Sequence, residues 1–313
     1  MSALFTLEFT VSSSEKNMLL REFLLQKQIS RKALTAIKEN GALLVNGTEE
    51  NVQYLLQPGD TITVQFPPES GSEHMKGEPI PLDILYEDAY LLAVNKPAGI
   101  STIPSQLHPS GTLANALLYH YEQTGHTAAV HFVTRLDLDT SGLVLVAKHR
   151  HTHHLFSLAQ QEQAIEKKYY ALVSGIPFPA KGRIDQPIGR TDNSIIQREV
   201  RDDGQMASTI YHTVSSFQKN HLTCSLVELH LLTGRTHQIR VHMQWLGHPL
   251  LGDSLYNGDC SILNRQALHC TSLRFQHPIT GEEIFLQCPL PNDMQHILTD
   301  TENSASEKMH EQH

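Results

Sequence analysis

The chain has 313 residues, enough for two domains or for one large domain with an appendage, and its 40% hydrophobic content allows a sizeable core. A formal net charge of −9 excludes a uniformly basic coat for nucleic acid but not a local basic groove, because partners feel patches rather than the mean. The four cysteines are widely spaced with no CxxC pair, which argues against a disulfide framework or zinc site; no signal peptide or apolar run of about 20 residues is evident, so a cytoplasmic, membrane-free protein is expected.

In chain order, residues 12–67 read as a small α+β unit. In EKNMLLREFLLQKQ the four-residue spacings Leu20/Leu24 and Leu19/Phe23 give a wide apolar helical face. Ser30 is placed to cap a second helix, RKALTAIKEN, which Gly41 stops. Asn46-Gly47 signals a hairpin, and after Pro58-Gly59-Asp60 the residues Ile62, Val64 and Phe66 alternate with polar ones as in a half-buried strand. Residues 68–81 are rich in Pro, Gly, Ser and Glu, cannot build a core, and read as a linker. From 82 to 295 strands dominate (YLLAV, GLVLVA, KYYALVSG, LTCSLVELHLL, EIFLQCPL), with helical stretches TLANALLYHYEQ, HTHHLFSLAQQEQ and THQIRVHMQWLG between them. Runs of strands with a few helices predict an α+β fold rather than regular βαβ alternation. Residues 296–313, where Asp300, Glu302, Glu307 and Glu311 stand against Lys308, read as a disordered acidic tail.

The stretch RLDLDTSGLVLVAK, residues 135–148, raises the question of chemistry. Asp-Thr-Ser-Gly is turn vocabulary, and Gly142 can take a positive φ, so Asp137 and Asp139 have a purely structural reading. A loop at the end of a rigid strand is also a common place for catalytic groups. Two carboxylates allow a glycosidase pair; an aspartic protease needs a second copy of its motif, and there is none. A second stretch, LLTGRTHQIRVHMQWLGHPLLGD, breaks a strand at Thr233-Gly234 and offers Thr236 as a helix cap, with Ile239, Met243 and Leu246 on the core face. Arg235, His237 and Arg240 at the start of that helix favour binding of an anion or carboxylate, against the simpler reading of solvated charges. In EKKYYALVSG, Lys167 and Tyr169 open a strand, either as packed aromatics with snorkelling lysines or as a stacking face with a cation for phosphate. NKPAG, from Asn95 and Lys96 to Gly99, reads as a turn. His149 and His153 are four apart on a helical stretch, but no carboxylate or cysteine in the segment completes a metal set, so no metal is expected.

Taken in order, NKPAG (95–99), RLDLDTSGLVLVAK (135–148), KKYYALV (167–173) and TGRTHQIRVHMQWLGHPLLGD (233–253) with Tyr256 resemble the RluA/RluD-type pseudouridine synthases. SRKALTAIKENGALLVNG (30–47) and PGDTITV (58–64) resemble an S4-like RNA-binding domain. The resemblance implies a pseudouridine synthase fold, a mostly antiparallel mixed sheet with flanking helices. It makes Asp137 the essential aspartate, Asp139 a turn residue at a variable position, Tyr169 the tyrosine against the target base and Arg240 the partner of the carboxylate. Arg135 becomes the residue that fills the space of a flipped base. Thr134 departs from the family, which often has histidine there, and implies altered support of the motif or an altered RNA contact.

The implied reaction turns uridine in RNA into its carbon-linked isomer, gains no atoms and needs no cofactor. A carboxylate can attack the sugar or accept a proton from it, and an arginine at contact distance favours the charged form that burial opposes. The base must leave its stack, which costs a few kcal/mol and is offset by stacking and a wedge. RNA is the expected partner, ribosomal or transfer, with Arg235, His237, Lys167, Asn95 and Lys96 at the substrate and Arg21, Arg31 and Lys32 on the N-terminal unit contacting phosphates. A monomer is expected. The rival readings are an RNA-binding or ribosome-assembly factor that keeps the fold without activity, and a glycoside hydrolase.

Overall fold

A computed structural model of the chain describes residues 5–69, 75–126 and 128–299. The N-terminal unit contains β1 (Thr6–Thr10), α1 (Leu20–Gln26), α2 (Arg31–Asn40), β2 (Ala42–Val45), β3 (Thr48–Glu49) and β4 (Thr61–Gln65). Its strands pair antiparallel in the order β1-β4-β2-β3. α2 starts where the Ser30 hydroxyl accepts the Ala33 N–H at 3.1 Å and stops at Gly41. Asn46 (φ 52°) and Gly47 (φ 81°) both adopt the left-handed conformation that a two-residue hairpin requires. Leu7, Leu20, Phe23, Leu24, Ile37, Leu43, Ile62 and Val64 form its core.

Two features differ from the sequence pattern. β1 precedes residue 12, the expected start of the unit; its five residues are held by pairing with β4, more than fifty residues away, which local periodicity does not register. α1 is shorter than EKNMLLREFLLQKQ, because Asn17 takes φ 60° and Leu19 is extended, so regular helix begins only at Leu20.

The larger unit contains β5 (Ile84–Glu87), β6 (Leu91–Lys96), α3 (Leu113–Thr124), β7 (His131–Phe132), β8 (Ser141–Ala147), α4 (Arg150–Gln161), β9 (Glu166–Ser174) and β10 (Lys181–Asp185). It continues through β11 (Ile188–Arg190), β12 (Arg198–Val200), β13 (Ser208–Lys219), β14 (Leu222–Leu231), α5 (Gln238–Trp245), β15 (Leu268–Gln276) and β16 (Glu283–Gln287). Ten strands form one sheet, ordered β10-β13-β14-β9-β15-β8-β6-β5, with β16 beside β15 and β7 beside β8. Every pairing is antiparallel except β15 with β8, so the sheet is the mostly antiparallel mixed sheet expected of an α+β fold. The parallel junction depends on Gly142: at φ 110°, it lies so close to β15 that a Cβ would meet the Cys270 amide nitrogen at 2.6 Å.

The two units meet through aromatic rings. Phe5 stacks on His149 at 3.8 Å between centroids, and Phe66 packs on His149 and His151 at 5.1 Å. Glu69 adds a polar latch: one carboxylate oxygen lies 2.6 Å from His131 Nε2, and the other accepts the Arg150 N–H at 2.7 Å and lies 3.2 Å from His149 Nε2. Burial acts to raise the Glu69 pKa, but His131, the Arg150 N–H and His149 outweigh it and hold the carboxyl below its ordinary value. Burial pulls the His149 pKa down to about 4, with Glu69 acting against it. Part of the expected linker therefore packs. Residues 75–81 lie against α3, where Asn115 Nδ2 donates to Lys76 O at 2.9 Å and Glu78 N donates to Asn115 O at 3.0 Å. The expected tail also begins later than residue 296: residues 292–299 are helical, with Met294 and Ile297 buried against Leu172 and Leu251. The remaining tail positions, 300–313, lie outside the described residues.

Candidate active site

The loop between β7 and β8 is fixed by its backbone. Thr102 Oγ1 donates to Leu136 O at 2.7 Å and accepts the Leu136 N–H at 3.2 Å. Lys96 Nζ donates to Leu138 O at 2.9 Å, Pro97 O at 2.8 Å and Ile100 O at 2.7 Å. Arg265 Nη1 donates to Asp139 O at 3.1 Å, and the Thr140 N–H closes a turn onto Asp137 O at 3.2 Å. With residues 136, 138, 139 and 140 tied to the scaffold, the Asp137 side chain faces a cleft of about 660 Å³.

α5 supplies the partner. Sequence pattern placed its cap at Thr236, but His237 occupies the cap position with φ 57°, and no side chain caps there. The turn is held by Gln238 instead: its Oε1 accepts from the Thr233 hydroxyl at 2.8 Å and the Arg235 N–H at 2.9 Å, and its Nε2 donates to Ser208 O at 3.0 Å. Arg240 follows one turn later. Its Nε and Nη2 donate to the two Asp253 oxygens at 2.7 and 2.8 Å, and its Nη1 donates to Asp137 Oδ2 at 3.1 Å. Burial acts against the guanidinium charge, but Asp253 and Asp137 outweigh it and raise the Arg240 pKa above its ordinary value. The Tyr256 ring lies beneath, 4.9 Å from the guanidinium carbon.

Tyr169 on β9 is buried, lines the same cleft and sits opposite Cys270 on the neighbouring strand β15. Burial, reinforced by Cys270 and Asp137, pushes the Tyr169 phenol well above its ordinary pKa of 10. Arg135, Lys167, Arg235 and His237 also line the cleft. Arg135 and Arg235 are exposed, and Arg235 Nε donates to Met206 O at 3.0 Å. Burial lowers the Lys167 pKa.

Two expected substrate contacts lie elsewhere. Asn95 turns to the far side of β6 and donates to Asp83 Oδ2 at 2.9 Å. Lys96 is fully buried, and its three carbonyl acceptors match the three N–H bonds of an ammonium, leaving none for RNA. Burial pulls its pKa down to about 7, against Asp139 and Asp137. Arg21, Arg31 and Lys32 are exposed on the N-terminal unit and do not line the cleft. Thr134, the departure from the family pattern, is buried, and its hydroxyl accepts the Leu145 N–H at 2.9 Å, so it supports the loop. Asp253 was not singled out by pattern, although a carboxylate directly after the apolar run Pro249–Gly252 is a recognisable mark of a buried charge in need of a partner. Among the described residues no group of three or more His, Cys, Asp or Glu is arranged to hold a metal ion, and no helix is long and apolar enough to cross a membrane.

A buried guanidinium held by one carboxylate and presenting a second to a nucleoside-sized cleft, on a mixed sheet of this order, defines a class of site suited to chemistry on a sugar or base. Comparison with known proteins narrows the class. Residues 90–245 match the family model described as RNA pseudouridylate synthase. The chain is 47% identical over 282 residues to an uncharacterized RNA pseudouridine synthase of Bacillus subtilis, YjbO, covering 90% of this chain and 98% of that one. It is 38% identical over 280 residues to the ribosomal large subunit pseudouridine synthase D of Vibrio parahaemolyticus, covering 85% and 84%. Among solved structures it resembles human RNA pseudouridylate synthase domain containing 1, with a TM-score of 0.57 and 28% identity over 68% of this chain and 85% of that one. The chain belongs to the RluA/RluD-type family of RNA pseudouridine synthases, isomerases that act on RNA.

Proposed function

We propose that the protein isomerises uridine to pseudouridine at a defined position of structured large-subunit ribosomal RNA, with Asp137 as the reacting carboxylate. The observation that carries this reading is the 3.1 Å bond from Arg240 to Asp137 at the cleft wall, with the backbone on both sides of Asp137 pinned. The ribosomal substrate rests on relatives named for the large subunit.

The target uridine leaves its helix and enters the cleft; unstacking costs about a few kcal/mol. Tyr169 offers a ring face to the base, and exposed Arg135 at the rim is placed to fill the vacated stack. Asp137, hydrogen-bonded by Arg240, attacks the anomeric carbon or removes a proton from the sugar, and the carbon–nitrogen bond breaks. The uracil turns, and carbon 5 bonds to the anomeric carbon as the Asp137 ester is displaced or as the abstracted proton is returned to the sugar; the hydrogen on carbon 5 leaves as a proton and N1 takes one up. No cofactor takes part. The N-terminal unit, extended to include β1, acts as an S4-like RNA-binding module through Arg21, Arg31 and Lys32. The protein works as a monomer in the cytoplasm.

The test is RNA from a deletion strain and its parent, probed by carbodiimide labelling and primer extension, with purified wild-type and Asp137→Asn protein added back to the deletion RNA. A large-subunit stop that returns with wild type and not with the variant supports the reading. A wild-type protein that binds the RNA and forms no pseudouridine points to a silent assembly factor; product from the variant removes Asp137 from the chemistry.

A further inference from the structure

One group facing the cleft has no part in the ion chain and is held more rigidly than a bystander needs to be. His237 sits at φ 57°, ψ 19°, a left-handed backbone conformation that is unfavourable for a non-glycine residue and persists only where the surroundings impose it. Its ring is fixed as well. Nδ1 lies 2.8 Å from the Tyr256 hydroxyl, and that oxygen accepts the Arg198 N–H at 3.0 Å. Tyr256 is buried, so its own O–H needs an acceptor, and Nδ1 is the one within reach. The phenol therefore donates to Nδ1, which places the imidazole hydrogen on Nε2. Nε2 faces the cleft, 3.7 Å from Asp137 Oδ2, beyond the range of a hydrogen bond. Burial lowers the His237 pKa, with Arg240 and Arg198 acting in the same sense and Asp137 against, which favours the neutral ring. Arg240 is oriented by its carboxylates, with Nε and Nη2 on Asp253 and Nη1 on Asp137, although one N–H on each Nη remains.

Building on the reading of Asp137 above, we propose that His237 is a second catalytic residue, a preorganised neutral Nε2–H donor to the carbonyl oxygen O2 of the bound uracil, with Tyr256 as the positioning residue that sets its tautomer. When the anomeric carbon–nitrogen bond breaks, its electron pair leaves with N1 and spreads over O2 and O4. O2 is the oxygen nearest the sugar carbon that Asp137 addresses, and His237 is the fixed donor nearest Asp137 on the cleft side. The hydrogen bond strengthens as negative charge develops on O2 and is given up as the uracil turns to bring carbon 5 to the sugar. His237 transfers no proton, so the ring need not ionise during the reaction. Directing a fixed donor at an oxygen that becomes anionic is worth about 10²- to 10³-fold in rate.

The experiment uses full-length protein and large-subunit ribosomal RNA transcribed with uridine tritiated at carbon 5, which releases tritium to water as carbon 5 loses its hydrogen. Single-turnover rate and RNA Kd are measured for wild type, His237→Ala, His237→Gln, Tyr256→Phe and Asp137→Asn. His237→Ala is expected to lower the rate about 10²-fold and leave Kd within about threefold. His237→Gln, which keeps an N–H on a side chain of similar reach, is expected to recover at least about tenfold of that loss. Tyr256→Phe is expected to lower the rate while moving the nitrogen-15 shifts of His237 toward a tautomer mixture, a change that mere loosening of the fold does not produce. His237→Ala within about threefold of wild type, a loss confined to Kd, or no rescue by Gln would overturn the proposal. Asp137→Asn separates the two readings: an active Asp137→Asn sinks the parent mechanism, whereas an inert Asp137→Asn beside a fully active His237→Ala sinks only the role of His237.

Discussion

Replacing Asp253 by Asn strikes the ion chain at its driest point. Asp253 is 1% exposed and the Arg240 side chain 8%, and two bonds of 2.7 and 2.8 Å join them. Removing one partner of a buried pair costs about 3–5 kcal/mol. Asn keeps one acceptor oxygen and Asp137 keeps part of the counter-charge, so about 3 kcal/mol is expected, or roughly 6–12 °C in Tm. The catalytic effect has a separate origin. The amide N–H₂ opposes one arginine N–H, so the guanidinium must turn, and a displacement of about 1 Å at Nη1 costs roughly 10²-fold in rate. Asp253 is too buried to touch RNA, so Kd is expected to stay within about twofold. The assay is single-turnover tritium release well below the Tm of the variant, with filter binding and thermal unfolding alongside. A rate within threefold of wild type in a destabilised protein would show that Arg240 needs no anchor, and a loss appearing in Kd would place Asp253 in RNA contact; either result refutes the reasoning.

Tyr169→Phe keeps the ring face and removes a phenol that burial holds far from ionising, so at least about a tenth of the wild-type rate is expected to remain, whereas Tyr169→Leu loses about 10²-fold or more; a Phe variant as inactive as Leu would assign the hydroxyl a part in the reaction. Glu69→Gln is expected to weaken the docking of the N-terminal unit by about 2 kcal/mol at pH 7, read by thermal unfolding. Because the Glu69 pKa is depressed from 4.5 in the folded protein, its contribution is complete above that value and disappears as pH falls through the folded pKa, so the wild-type and Gln curves converge in acid; a gap that persists there would assign the effect to packing rather than charge.

The features that were legible in the sequence are those fixed locally. The Ser30 cap, the Asn46-Gly47 turn and the buried run of β8 each follow from side chains within a few residues of one another. Asp137, Tyr169 and Arg240 were found because their motifs are long, and the fold brings the three to one cleft. What pattern missed was set at a distance. β13 and β15 are long central strands whose mixed sequences alternate weakly; pairing on both edges, not periodicity, makes them strands. Asn95 and Lys96 are neighbours in β6 and point to opposite faces, Asn95 to Asp83 and Lys96 into the backbone of the Asp137 loop, so the strand's alternation brings neither to the cleft. The tail helix is polar by composition and held by two residues, Met294 and Ile297, against a core built elsewhere.

The order of charges explains why the arginine needs two carboxylates. An Arg240 facing only Asp137 would bind it through two N–H bonds in a bidentate fork, and both oxygens of the reacting group would be occupied. Asp253 takes that fork instead through Nε and Nη2, so Asp137 Oδ2 receives a single bond from Nη1 and its other oxygen, Oδ1, accepts none from the guanidinium. That single bond orients Asp137, while its 29% exposure keeps it accessible from the cleft. Asp253, at 1% exposure, cannot exchange roles with it, because no substrate atom can reach that side. Burial, not sequence position, thus separates the carboxylate that is open to the cleft, Asp137, from the one that aims the guanidinium, Asp253.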